Sequence, residues 1–245
     1  MRQWKVRTPS SPLTRLPGKW FMSNPDAVIR LYRPVDREDV LRIGADTAFF
    51  GAPIEKYMED RRIFCDIFYS YYTDVEPGYC WIAEVEGRVA GFLAGCPDSK
   101  AKAGLYLRSI LPGSLGSLIR GKYQSGPLTR DYLHRLVGAG FRNEAPHVDF
   151  KIYPAHLHIN VDAGFRGHGF GRRLMNAYLG QLRGGQITGV HLNTTSLNEA
   201  ACRLYESVGF RLLDARPTRM WEGIVEGHVE NRCYGLQLRN GQTSN

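Results

Sequence analysis

Ala155-His156-Leu157-His158-Ile159-Asn160-Val161-Asp162-Ala163-Gly164-Phe165-Arg166-Gly167-His168-Gly169-Phe170-Gly171 is the stretch on which the fold turns. Ala155 to Val161 reads as a strand that runs straight into a glycine-rich turn. A helix follows, with Phe170, Leu174, Ala177, Tyr178 and Leu182 on one face. Gly167, Gly169 and Gly171 are expected to take positive φ and turn their N–H groups toward one point. That point lies on a helix N-terminus, which carries about half a positive charge. A pyrophosphate fits such a cradle, and Arg166 adds charge beside it. A phosphate-binding P-loop is excluded because no Gly-Lys-Ser/Thr follows. A dinucleotide fingerprint is excluded because Arg172 stands where the third glycine belongs.

Downstream, Val190 to Asn193 reads as a strand leading into Asn198-Glu199-Ala200-Ala201-Cys202-Arg203-Leu204-Tyr205-Glu206-Ser207-Val208-Gly209-Phe210. Ser196 and Glu199 have the spacing of a capping box, Gly209 of a C-cap, and Ala201, Leu204, Tyr205 and Val208 share a face. On pattern alone Tyr205 is a core tyrosine. Phe210 to Leu213 and Cys233 to Leu238 read as closing strands. Upstream, Ala27 to Tyr32 reads as a strand closed by Pro34, and Asp36 as the cap of a helix. A second helix is expected through Tyr57, Ile63, Ile67 and Phe68. Tyr79 to Val85 and Arg88 to Ala94 form a hairpin about Glu86-Gly87. Residues from about 97 to 154 mix Gly, Ser and Pro with two helix-like patches, Leu105 to Ile119 and Leu128 to Val137. They read as an insertion within one domain over 25–245, which follows a basic, proline-containing extension over 1–24.

Together the two glycine-bearing segments resemble the GNAT superfamily of N-acetyltransferases. Its pyrophosphate pattern, Gln/Arg-x-x-Gly-x-Gly/Ala, is met by Arg166, Gly169 and Gly171. Its later segment is met by Asn198, Ala201, Leu204-Tyr205 and Gly209-Phe210. The stretch Pro154 to Ile159 also resembles the acetyltransferase-like domain attached to some eukaryotic O-GlcNAc hydrolases. The GNAT resemblance implies an α/β fold with a bent, mostly antiparallel sheet, splayed at its middle strands and covered by helices on both faces. It also implies acetyl-CoA as co-substrate, with no metal, and transfer of acetyl to a primary amine by direct attack. Ile159, Asn160 and Val161 would then pair with the pantetheine arm, and the amides from Gly167 through His168, Gly169, Phe170 and Gly171 would hold the pyrophosphate. Asn198 would reach the pantetheine or a water, and Tyr205 would face the thioester sulfur.

The base that deprotonates the amine is a separate question. His156 and His158 alternate along the strand, share one face and titrate in a suitable range. Asp149, Glu84 or a group from the insertion are alternatives, and His168 belongs with phosphate or solvent. The acceptor, a small molecule or a peptide, is not visible in the residues. A non-catalytic acyl-CoA-binding or scaffold module is the competing reading.

Composition bounds the rest. No run among the 245 residues approaches the roughly 20 apolar positions of a membrane span. Net charge is +8, but Arg2, Lys5, Arg7, Arg15 and Lys19 supply five of those charges before the first acidic residue, Asp26. The remaining excess suits attraction of a CoA phosphate, and nucleic acid is not expected. Five dispersed cysteines without a CxxC pair argue for a reducing, cytoplasmic setting and against disulfides or structural zinc. A homodimer is left open.

Overall fold

The computed structural model describes residues 27–106, 108 and 111–238. The basic extension, and Leu107 and Ile110 of the insertion, lie outside the described residues. Seven strands form one sheet: β1 (Ala27–Leu31), β2 (Cys80–Val85), β3 (Arg88–Cys96), β4 (Ala155–Val161), β5 (Gly189–Thr195), β6 (Arg211–Thr218) and β7 (Val229–Gln237), in the order β1-β2-β3-β4-β5-β7-β6. Every neighbouring pair is antiparallel except β4 and β5. The β2–β3 hairpin closes as expected: Glu86 and Gly87 both take positive φ, 51° and 74°, the twist that two-residue hairpins favour.

Helices α1 (Arg37–Thr47) and α2 (Arg61–Phe68) cover one face of the sheet, and α6 (Phe170–Gly184) and α7 (Glu199–Val208) the other. Strand β4 serves both cores because its side chains alternate. Ala155, Leu157, Ile159 and Val161 pack with Leu174, Tyr178 and Tyr205 on the α6–α7 face. His156 and Asn160 reach across the other face, to Tyr72 and to Tyr69 and Thr47.

The insertion is helical: α3 (Ser99–Leu105), α4 (Leu111–Ile119) and α5 (Pro127–Phe141). Several local expectations need correction. Asp36 does not cap α1 with its side chain. Its buried carboxylate accepts from Arg33 N at 2.7 Å and pairs with Arg30 at 2.7 Å, which ties β1 to the start of α1. The second helix starts only at Arg61, capped by Asp60. The Ser196–Glu199 capping box does not form. Ser196 Oγ accepts from Glu230 N at 3.0 Å, and Glu199 pairs with Arg203 one turn on. Strands β6 and β7 extend beyond the apolar runs, to the Thr218–Val229 pair. Within them Asp214–Arg216 and Glu230–Arg232 ion pairs let charged residues sit on a sheet surface.

Candidate functional site

Strands β4 and β5 pair at only two positions, Ala155 with Val190 and His156 with His191. Beyond them the strands diverge. Strand β5 stays paired to β7 as far as Thr195, and β4 stays paired to β3 as far as Val161. The backbone of β4 from Leu157 to Val161 therefore has no strand on its β5 side. The result is a slot through the sheet, edged by peptide groups with hydrogen-bonding capacity to spare.

At the wide end of the slot, Asp162 accepts from Gly164 N and pairs with Arg42, both at 3.0 Å. Arg166 Nε donates to Val161 O, and another guanidinium N–H to Gly51 O, both at 3.2 Å. The arginine thus pins the loop to two other elements. Gly167 and Gly169 take the expected positive φ, 80° and 77°, and Gly169 leads into α6 without a capping side chain. The first amides of α6 are accordingly open to an anion. Gly171 differs from the expectation: it lies inside the helix. A Cβ there would stand 2.9 Å from Leu204 Cδ2 on α7, so a side chain at this position would push against the end of Leu204. The Phe170 side chain is buried in the core, so it can offer a ligand only its amide. His168 is exposed at the loop, Nδ1 lying 3.3 Å from Phe165 O. Asn198 sits half-buried at the N-terminus of α7 and makes no side-chain capping bond.

At the narrow end, a cleft of about 430 Å³ is lined by His156, His158, His191, Lys102, Ser99 and Asn193, with Tyr106, Phe150, Leu157 and Leu192. One hydrogen-bonded chain runs along its wall. Ser99 Oγ donates to Pro154 O at 2.6 Å and so accepts from His156 Nδ1–H at 2.7 Å. This tautomer leaves His156 Nε2 to accept from Tyr72 Oη–H at 2.7 Å. Lys102 Nζ donates to Tyr72 Oη at 2.5 Å and stands 3.3 Å from His156 Nε2. A single π-helical turn, Tyr71–Val75, delivers Tyr72.

Burial first, then the Lys102 charge, pushes both β4 histidines below the ordinary range, His158 to about 3. His191 is also lowered by burial, although its Nδ1 lies 2.9 Å from Tyr153 O. All three imidazoles are neutral at physiological pH. Burial lowers Lys102 to about 8. Tyr205 lies on the other side of the sheet, 5% exposed, with the rings of Phe210 and Tyr234 at 6.2 and 5.9 Å. Burial raises its hydroxyl above the usual phenol range. The structure thus gathers His156 and His158 in the cleft and the loop glycines at the far end of the slot, with Tyr205 behind it. Ser99, Lys102, Tyr72 and His191 had no signal in the sequence, because no motif joins them and three distant segments bring them together.

The profile of the Acetyltransferase (GNAT) family matches residues 134–210, from α5 to the end of α7. A mycothiol acetyltransferase of Nocardiopsis dassonvillei is 46% identical over 56 residues, 23% of this chain and 17% of that protein. The N-alpha-acetyltransferase RimI of Mycobacterium tuberculosis is 42% identical over 64 residues, 26% of this chain and 38% of that protein. Each match therefore spans well under two thirds of the relative. Among solved structures, the crystal structure of SsHAT superposes with a TM-score of 0.65 at 27% identity, covering 88% of this chain and 100% of that one. An N-acetyltransferase from Staphylococcus aureus Mu50 shares the fold at a TM-score of 0.51 and 16% identity, over 87% and 99% of the two chains. The splayed sheet, the glycine loop and these matches point the same way: residues 134–210 match the GNAT acetyltransferase family, and the chain shares the fold of solved N-acetyltransferases.

Proposed function

We propose that this protein is an N-acetyltransferase that moves an acetyl group from acetyl-CoA to a primary amine, on a small molecule or a peptide, in the cytoplasm. The observation that carries this reading is the slot between β4 and β5, which opens at one end onto the uncapped start of α6 and at the other onto a cleft. Its dimensions suit a pantetheine arm: the five residues from Leu157 to Val161 span roughly 16 Å. The loop fits a pyrophosphate, since two glycines with positive φ lead into the uncapped amides at the start of α6. A solved structure of the same fold, yncA of Salmonella typhimurium, contains its cofactor acetyl-CoA (TM-score 0.51, 16% identity).

Acetyl-CoA supplies an activated acyl carbonyl on a thioester. The chain must bring a neutral amine to it. A lysine-like amine is neutral only about once in 2,500 molecules at pH 7, a penalty of ~4.6 kcal/mol. His156 and His158 are neutral at that pH, and burial makes them weak bases. His156, bonded at both nitrogens, instead holds Tyr72 and Ser99 in place along the cleft wall. Tyr205 keeps its proton and donates a hydrogen bond that strengthens as charge grows on the departing sulfur.

The test is a thiol-release assay over a broad amine panel, with calorimetry of CoA binding beside it. Wild-type protein is expected to bind CoA and to release thiol with at least one amine. Gly171→Val, which drives a side chain into Leu204 at the loop, should lose CoA binding while the chain stays folded. Binding without any turnover would instead favour a non-catalytic acyl-CoA-binding module.

A further inference from the structure

Lys102 is a cation without a carboxylate. It is half-buried on α3, lines the cleft, and takes part in no ion pair among the described residues. Every partner it has among the described residues is neutral. They are the Tyr72 hydroxyl at 2.5 Å, His156 Nε2 at 3.3 Å, and the ring faces of Tyr72 and Tyr71 at 4.1 and 5.1 Å. Cys96 faces it too, as a thiol held neutral by burial. Glu76, the carboxylate that acts on it from a distance, is already bonded to the Tyr71 hydroxyl at 2.5 Å. His158 and His191 are neutral across the cleft.

No Asp or Glu is among the described lining residues. An amine with several positive charges would find nothing to neutralise it there, and Lys102 would repel it. A partly desolvated cation with only neutral neighbours is, by contrast, half of an ion pair awaiting its anion. The CoA pyrophosphate does not meet this need, because the anion cradle lies at the opposite end of β4, about 16 Å along the strand. Beside these neutral polar groups, Phe150, Leu157, Leu192 and Ala103 give the wall an apolar surface.

We propose that the cleft takes an amine that carries a carboxylate on an apolar body, and that Lys102 is the counter-ion of that carboxylate. The proposal deepens the transferase reading and rests on it for the identity of the cleft as acceptor site. Lys102 orients the acceptor and sets specificity; it takes no part in bond making. The carboxylate also restores the lysine's basicity, so binding at pH 8 takes up a fraction of a proton.

Calorimetry tests this without turnover. N-acetylphenylalanine and N-acetylphenylalaninamide stand in for a product with and without the carboxylate, and spermidine for a polycation. Each is titrated into the full chain at pH 8, in two buffers of different ionisation enthalpy. The carboxylate should bind at least roughly tenfold more tightly than the amide and take up protons. Lys102→Met should remove both effects, and Lys102→Arg should keep part of the preference. Equal binding of carboxylate and amide to wild type, tighter binding of spermidine, or a preference that survives in Lys102→Met would each overturn the proposal. A kinetic arm compares phenylalanine with phenylalaninamide as acceptors. A uniform loss of kcat for both in Lys102→Met would assign the lysine to the chemistry instead and contradict the proposal. If no amine releases thiol yet the carboxylate preference holds, the transferase reading fails while Lys102 keeps its anion.

Discussion

Tyr205 packs against Phe210 and Tyr234, and its hydroxyl makes no hydrogen bond among the described residues. That oxygen is not one of the fully enclosed unpaired polar atoms, so solvent or a ligand can reach it. Tyr205→Phe removes only that hydroxyl, so packing should survive. We expect kcat to fall roughly tenfold or more while CoA affinity changes less than about twofold, measured by thiol release beside calorimetry. An unchanged kcat, with chemistry shown to be rate-limiting, would return Tyr205 to the core. What the sequence made readable at this scale was local. The alternation of His156 and His158 and the glycines of the loop show their places in a few consecutive residues. Gly171 was read as a turn residue because the reason for it, Leu204 of α7, lies across a helix contact that no spacing reveals. Lys102 went unread for the same reason: its partners Tyr72 and His156 stand 30 and 54 residues away.

Among the elements, β4, the loop and α6 follow the sequence closely, because a strand, a turn and an amphipathic helix each declare themselves by period. The insertion did not, as its helices are held by contacts from outside. Helix α5 begins without a capping residue of its own. The carboxylate of Glu59, from the loop before α2, accepts from the amides of Gly126 (3.1 Å), Leu128 (2.8 Å) and Thr129 (3.0 Å) and from Thr129 Oγ (2.5 Å). A capping carboxylate supplied from 70 residues away complements the helix dipole as a local one would. These bonds, the Thr129 hydroxyl foremost, hold Glu59 at a pKa of about 2. Because its folded pKa lies below the unfolded one, its contribution is complete above about pH 4.5 and is lost as pH falls toward 2. Glu59→Gln should therefore lower the protection factors of the amides of residues 128–131 at pH 7, as acidification toward pH 2 does in the wild type. Identical exchange in mutant and wild type at neutral pH would show that α5 is held by packing alone.

Taken whole, the molecule divides at its sheet. One face and one end of the slot carry the loop, α6 and Tyr205. The other face carries the cleft, furnished by α3 of the insertion and the π-helical turn before β2. Ser99 and Lys102 bring the insertion into the cleft wall, while Leu136, Val137 and Phe141 of α5 are exposed. All five cysteines are buried and unpaired, packed as small core residues. At this scale the residue pattern showed the order of elements, and only the family resemblance implied the splay, because divergence of β4 from β5 is a property of two strands and of what lies between them. The central claim, that this slot receives the pantetheine arm of CoA, is tested most directly by hydrogen–deuterium exchange of the full chain with and without CoA. CoA should slow exchange at the amides of Leu157 to Val161 and of Gly167 to Arg172 together. Bound CoA that leaves both stretches unprotected, or that protects only a surface away from β4, would contradict it.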